Sequence, residues 1–303
     1  MGVIDFTKYF GPETLLFDEP MSKHSNFRVG GLADVIFMPK DADEIVKMVG
    51  LCKENGIDFF VMGSGSNLLV TDKGFRGVII KLSANFKDII QLSTTKFFVD
   101  AKVKLPILAK YCCDAGLTGL EFAAGIPGTV GGATFMNAGA YGGEMKDIIT
   151  SVKVLNHSTG EIYTLSSEEM KFSYRYSIAK DSPLIILGIE ISLQEGKKED
   201  IKQKMLEFNQ SRIKKQPIHL PSGGSTFKRP APDIFAGKLI EDCGLKGYSI
   251  GGAGVSDLHA GFIVNNGGAT ATDILDLIEY VKNIVKENFN ISLQEEIIVL
   301  GEK

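Results

Sequence analysis

Gly63-Ser64-Gly65-Ser66-Asn67-Leu68 is the stretch on which the fold turns. A dinucleotide site of the doubly wound type needs G-x-G-x-x-G between a strand and a helix, the third glycine letting helix and strand pack closely. Here Leu68 stands where that glycine should be, and Leu68 to Val70 continues as an apolar strand. The doubly wound fold is therefore disfavoured. The phosphate loop of mononucleotide enzymes is missing as well, because Gly237-Lys238-Leu239 lacks both the following Ser or Thr and the upstream glycine. What the stretch does offer is a run of backbone N–H groups unobstructed by bulky side chains, with two hydroxyls and one amide. That suits the close approach of a diphosphate. A plain hairpin turn of glycine and serine has the same composition.

A second loop shifts the balance. Ala123-Ala124-Gly125-Ile126-Pro127-Gly128-Thr129-Val130-Gly131-Gly132-Ala133 places Pro127 to open a short helix and keeps the residues small, so a phosphate can sit against amides at the helix start. It continues as Phe135-Met136-Asn137-Ala138-Gly139-Ala140-Tyr141-Gly142. Tight helix packing also selects small residues, but it rarely demands two glycine-rich stretches flanking one amide. A large, planar, phosphorylated cofactor is the better reading.

Outward from these loops the pattern alternates. Ala33 to Met38 reads as a strand; Asp41 with Glu44 three places later is a capping-box pattern, followed by Ile45, Met48, Val49 and Cys52 at helical spacing and stopped by Gly56. Asp58 to Met62, Leu68 to Val70 and Val78 to Leu82 read as strands. Pro106 suits the first turn of a second helix, with Leu108, Tyr111, Cys112 and Ala115 on one stripe before Gly116. Val152 to Leu155, Glu161 to Leu165 and Leu184 to Leu193 are strand-like, which implies an α+β middle domain. Lys197 to Lys215 reads as a surface helix on Ile201, Met205 and Phe208, leading to a linker at Pro217 to Pro221. A third unit follows, with helices at about Phe235 to Cys243 and Asp273 to Phe289, a strand at Gly261 to Val264, and a closing strand at Ile297 to Leu300. No internal repeat or low-complexity tail is visible.

Composition bounds the function. At 303 residues with 44% hydrophobic and 23% charged, the chain is long enough for two or three domains, since single cores stop growing at about 250 to 300 residues. A formal charge of -4 argues against general affinity for nucleic acid, so a polyanionic ligand must meet local positive charge. Cys52, Cys112, Cys113 and Cys243 lack redox or zinc spacing and read as reduced, packed thiols. His24, His157, His219 and His259 are scattered, and no metal site is expected. Met1-Gly2-Val3-Ile4-Asp5-Phe6 is not a secretory signal, and no apolar run approaches the roughly 18 residues of a membrane span. A cytoplasmic protein is expected.

Gly63 to Leu69, Gly119-Leu120-Glu121-Phe122 with Gly125 to Gly132, and Met136 to Gly143 resemble the FAD-binding loops of the UDP-N-acetylenolpyruvoylglucosamine reductase family. Tyr174-Arg175-Tyr176-Ser177, Gly224 to Pro230, Ala236 to Glu241, His259 to Asn265 and Leu293-Gln294-Glu295-Glu296-Ile297 resemble its later blocks, in order. The resemblance runs from about His24 to Glu302. It implies an α+β, three-domain flavoprotein: an FAD-binding part of the vanillyl-alcohol oxidase (PCMH) type and a C-terminal α/β substrate domain. The corresponding division is residues 1–82 with 297–303, residues 83–214, and residues 215–296, the last strand returning to the first domain. The short path from Tyr176 to Leu184 resembles the shorter subgroup of the family.

The resemblance also implies the reaction, NADPH-driven reduction of UDP-N-acetylglucosamine enolpyruvate through FAD in peptidoglycan precursor synthesis. Such a reaction needs a fixed cation for the developing enolate and an acid that protonates carbon. Arg175 matches the family arginine for the first, Ser225 the proton donor, and Glu296 a carboxylate that polarises the enol system. By itself Arg175 reads as a surface arginine on a strand between two tyrosines, Ser225 as a cap or turn serine, and Glu296 as one of two adjacent acids that a slip of one residue would exchange. For the cofactor the resemblance implies Gly63, Ser64, Gly65, Ser66, Asn67 and Leu68, then Gly125, Ile126, Pro127, Gly128, Thr129, Gly131 and Gly132, then Asn137, Ala138 and Gly139. For the substrate it implies Tyr141, Lys215, Lys228 and Arg229. No His or Cys stands in Gly63 to Asn67, so FAD is expected to be noncovalent. No nucleic-acid or membrane partner is expected, and the expected state is a monomer or weak oligomer. An oxidase of the same flavin fold and a non-catalytic nucleotide-binding module are the competing readings.

Overall fold

A computed structural model describes residues 4–82 and 87–302. Met1-Gly2-Val3 and the C-terminal side of the expected boundary at 82/83 lie outside the described residues. The chain divides into two compact units: one takes the chain up to Phe17, Val35–Ser64 and Gly77–Ser211, the other Asp18–Asp34, Gly65–Arg76 and the chain from Arg212 onward.

In the first unit, helix α1 (Ala42–Glu54) starts where Asp41 accepts the Glu44 N–H at 2.9 Å. The Glu44 carboxylate reaches the Lys40 N–H at 2.7 Å, one residue outside a reciprocal capping box. Ile45, Met48, Val49 and Cys52 are buried, as their spacing predicts. Helix α2 (Leu105–Asp114) has Pro106 in its first turn and buries Leu108 and Cys112, while Tyr111 stays 41% exposed. Burial pushes the Cys52 and Cys112 thiols up to about 12, so both are inert packed groups. A five-stranded antiparallel sheet runs in the order Ile162–Ser166, Ile149–Asn156, Leu184–Ser192, Lys96–Asp100, Ile89–Gln91. Its central strand is a continuous apolar run because both faces are covered. Gly188 leaves room there for the Phe98 ring, since a Cβ would lie 2.5 Å from Phe98 Cζ. At roughly 1.5–3 kcal/mol for each fully buried Ile, Val or Leu, this core is the main source of the unit's stability.

The second unit packs α5 (Ala236–Asp242) and α6 (Ala271–Phe289) with an antiparallel sheet of Ser249–Ile250, Ala253–Val255 and Ile263–Asn265. Thr270 and Asp273 form a capping box, and Ile274, Leu277, Ile278, Val281 and Val285 are the buried stripe. The closing strand Ile298–Leu300 pairs in parallel with Leu68–Val70.

The strands flanking Gly63–Asn67 are not a hairpin. Phe59–Met62 pairs in parallel with residues 78–81, Phe59 opposite Val78 and Met62 opposite Lys81, whereas Leu68–Val70 has Ile298–Leu300 as partner. No hairpin ladder ties up the turn. Leu15–Pro20, Ile89–Gln91 and Lys96–Asp100 are strands beyond those expected; Asp18 and Glu19 break the apolar pattern of the first, and the second is only three residues long.

Asp72 staples α6. Its carboxylate accepts the N–H groups of Ala271 and Thr272, both at 2.8 Å, and the Thr272 hydroxyl at 2.7 Å. Burial raises its pKa, but these bonds more than offset that and hold it below the usual aspartate value. A depressed folded pKa contributes stability above the ordinary value, and the contribution is lost as pH falls through the folded one. Asp72→Ala is expected to cost about 1 kcal/mol, the screened range for an exposed cap, with the deficit shrinking in acid. Urea titrations at neutral pH and near pH 3 check this; a deficit independent of pH contradicts it.

Candidate functional site

Gly63, at the start of the first glycine loop, meets the second loop within the first unit. A Cβ on Gly63 would lie 2.6 Å from Thr129 Oγ1, so only glycine permits the approach. The Ser64 hydroxyl is buried with no hydrogen-bond partner, an arrangement that costs free energy unless a ligand supplies one. Among the described residues the amides of Ser64, Gly65 and Ser66 also meet no acceptor. In the second unit, Gly65 has φ +72° and a Cβ there would lie 2.0 Å from the His24 carbonyl, which fixes glycine at that position too. A buried orphan hydroxyl beside open amides is the chemistry a diphosphate satisfies, so these residues fit the FAD implied by the sequence. FAD, when bound, supplies two-electron hydride chemistry.

Helix α3 (Val130–Met136) departs from the expectation of free amides. Val130 N–H donates to Val103 O and Gly131 N–H to Ala101 O, both at 2.8 Å, and Thr129 Oγ1 caps the Gly132 N–H at 3.4 Å. Gly131 is small because Ala101 Cβ would stand 2.9 Å from a side chain there. The start of the helix is spent on packing, and the open amides belong to Gly125 and Gly128, which meet no acceptor among the described residues. Ile126 and Pro127 carry the chain between them. Glu121 is likewise used locally: it accepts the Thr118 hydroxyl at 2.6 Å and the Gly119 N–H at 2.8 Å. Burial raises its pKa, but those bonds bring the net shift below the usual value.

Beyond α3 lie two tight turns. Asn137 is left-handed at φ +43° and fully buried; its amide donates to Glu144 Oε2 at 3.0 Å and Ser173 O at 2.9 Å and accepts the Lys146 N–H at 2.9 Å. It thereby joins the hairpin Gly139–Ala140/Gly143–Glu144, next to Ala138, to the segment carrying Arg175. Tyr141 and Gly142 occupy the first hairpin's tip with φ +53° and +85°, the type I′ requirement. The Tyr141 ring stacks on Phe208 of α4 (Lys198–Lys215) at 4.4 Å and 4°. Arg175 sits in a two-residue turn closed by Ser173 and Tyr176, not on a strand; its φ is +55°. Its guanidinium donates to Gly139 O at 3.3 Å and lies 5.0 Å from the Tyr174 ring. A non-glycine residue in the left-handed region is strained, and such strain is concentrated at functional sites.

In the second unit, Ser225 and Glu296 lie on adjacent antiparallel segments. Phe227 bridges Glu295, Lys228 N–H donates to Gln294 O and Glu296 N–H to Thr226 O, the last two at 2.8 Å. Gly223 lets the Ser225 loop approach Phe27, whose Cε2 would be 2.5 Å from a Cβ, and Gly224 follows at φ +82°. Thr226 is fully buried; its N–H donates to Gly261 O at 2.8 Å and its hydroxyl accepts the Ile263 N–H at 3.0 Å. Gly261 N–H in turn donates to His259 Nδ1 at 3.1 Å, and burial holds that ring below the usual histidine pKa, hence neutral at pH 7. Asn67 clamps the other segment, its amide donating to Glu296 O at 3.1 Å and its carbonyl accepting the Ile298 N–H at 2.9 Å. Leu68 is buried beside it. Glu295 has a different occupation: Lys282 of α6 donates to it at 2.8 Å. Sequence reading missed the anchors Thr226 and His259, because a lone threonine or histidine carries no motif.

Lys228 is half-buried next to Thr226 and Phe227. Arg229 is exposed, 4.6 Å from the Phe235 ring, and donates to Pro232 O at 3.1 Å. Lys215 is the exposed last residue of α4. Among the described residues no three His, Cys, Asp or Glu side chains cluster as metal ligands, and no helix is long and apolar enough to cross a membrane.

Comparison with known proteins agrees with this construction. Residues 33–166 match the FAD binding domain family, and residues 216–300 match the family described as the UDP-N-acetylenolpyruvoylglucosamine reductase C-terminal domain. The UDP-N-acetylenolpyruvoylglucosamine reductase of Caldanaerobacter subterraneus subsp. tengcongensis is 52% identical, over 95% of this chain and 94% of its own. That of Alkaliphilus metalliredigens is 50% identical over 98% and 97%. A crystal structure of the reductase from Thermus caldophilus superposes with a TM-score of 0.80 at 33% identity, covering 95% of this chain and 98% of that one. The FAD-binding and C-terminal domains expected from the resemblance are thus both present, and the chain belongs to the UDP-N-acetylenolpyruvoylglucosamine reductase family, FAD-dependent oxidoreductases of peptidoglycan precursor synthesis.

Proposed function

We propose that the chain reduces UDP-N-acetylglucosamine enolpyruvate to UDP-N-acetylmuramate, with NADPH as hydride source and noncovalent FAD as carrier. One hydride and one proton saturate the enol ether double bond, so electrons and atoms balance. Arg175 faces the substrate carboxylate and stabilises the negative charge that develops when hydride reaches the terminal carbon. Ser225 delivers the proton to the adjacent carbon. Glu296 orients the enol system, Tyr141, Lys215, Lys228 and Arg229 hold the substrate, and the glycine loops with Asn137, Ala138 and Gly139 hold the cofactor. The division into residues 1–82 with 297–303, 83–214 and 215–296, a monomeric or weakly associated state, and a cytoplasmic location complete the reading.

The observation that carries it is the convergence of Ser225 and Glu296 on paired segments, one of them clamped by Asn67 of the first glycine loop. An oxidase has no use for that pairing. The purified protein is expected to be yellow, to bleach with NADPH, and to release its flavin into the supernatant on acid precipitation. Flavin retained in the pellet contradicts noncovalent attachment, and a colourless protein that takes up no FAD contradicts the reading as a whole.

A further inference from the structure

We propose that Lys81, Lys102 and Lys104 form a cationic subsite for the phosphate groups of a dinucleotide at the rim of the glycine loops; this rests on the flavin reading above. All three arise from backbone that frames the loops within the first unit. Lys81 ends its strand opposite Met62, the residue before Gly63. Lys102 stands between Ala101 and Val103, whose carbonyls hold the Gly131 and Val130 amides. Lys104 is bridged to Thr129, whose hydroxyl closes on Gly63.

Lys81 and Lys102 are each disfavoured as cations where they stand, which a bound anion would relieve. Burial first, and Lys102 second, lower the Lys81 pKa; burial, then Lys104 and Lys87, lower that of Lys102. The nearby carboxylates are otherwise occupied: Asp100 accepts the Asp88 N–H at 3.0 Å, and it is burial first and Asp88 second that raise its pKa, with Lys153 opposing. No carboxylate pairs with Lys102 among the described residues. Lys81 and Lys102 are half-buried and Lys104 is exposed; like charges so placed repel one another, and a bound phosphate dianion reverses the sign of that interaction. In a chain of net charge -4 such a cluster is a local exception. Two sources offer the same chemistry, the diphosphate of FAD and the 2′-phosphate of NADPH.

The test titrates flavin-free protein with FAD and with riboflavin by fluorescence quenching, for wild type, Lys102→Gln, Lys104→Gln, Lys81→Gln and the charge-keeping Lys81→Arg. The KM for NADPH and for NADH is then measured on each protein saturated with FAD. The expected result is about tenfold weaker FAD binding in the Gln variants, as for loss of a charge-assisted phosphate contact, with riboflavin unaffected and Lys81→Arg near wild type. A rise in KM for NADPH alone, with FAD binding unchanged, supports the same cluster with the 2′-phosphate as its ligand. Wild-type values throughout for Lys102→Gln and Lys104→Gln, whose side chains are not core, overturn the subsite while leaving the flavin reading intact. Failure of wild type to take up FAD removes both.

Discussion

Ser225→Ala is expected to leave flavin reduction by NADPH almost unchanged and to slow flavin reoxidation by the enolpyruvyl substrate by about 10²- to 10⁴-fold, the contribution typical of a positioned general acid. The asymmetry follows from the chemistry: only the second half-reaction puts a proton on carbon. The structure explains why the substitution is clean. The loop is held by the neighbouring Thr226, through Gly261 O and the Ile263 N–H, and by Gly223 against Phe27, so its path does not depend on the Ser225 hydroxyl. Ser225→Cys should recover part of the activity, since a thiol also donates a proton. Stopped-flow traces of the separate half-reactions decide it. Equal slowing of both points to a structural serine, and no slowing of the second removes Ser225 from the mechanism.

Glu296→Gln is expected to lower the same half-reaction by about 10²-fold, the cost of removing one group that stabilises developing charge. Glu295→Gln should be nearly silent. The two acids are adjacent, but Glu295 forms a half-exposed ion pair with Lys282, which is worth little and is remote in purpose from the substrate. Glu296 has its backbone fixed from both sides, by Thr226 and by Asn67. Single-turnover rates for the two variants give the ranking directly. A larger loss for Glu295→Gln means that the catalytic register is displaced by one residue.

Much of this was legible in the sequence where one residue type had one physical use. Asp41 announces a helix start by its capping oxygen, and the stripes of α1 and α6 follow the helical period. Leu68 in place of a third glycine disfavours the doubly wound fold, and the parallel pairing of Leu68–Val70 with Ile298–Leu300 shows that segment to be a strand. Other features depend on tertiary partners. The Gly63–Asn67 stretch looks like a hairpin turn because sequence does not say that its two strands pair elsewhere. Arg175 looks like a strand residue between tyrosines because nothing local reveals that Asn137, 38 positions earlier, holds the Ser173 carbonyl and shapes its turn. The glycines of α3 look like phosphate ligands because close packing on Ala101 selects the same residue.

The most direct test of the account is anaerobic: the flavoprotein is reduced with one equivalent of NADPH, held without oxygen, and then given UDP-N-acetylglucosamine enolpyruvate. The account predicts that the bleached flavin stays bleached until the enolpyruvyl sugar is added, that its absorbance then returns, and that one equivalent of UDP-N-acetylmuramate forms. A flavin that stays bleached after the enolpyruvyl sugar is added, and regains its colour only when air is admitted with the sugar unchanged, would contradict it.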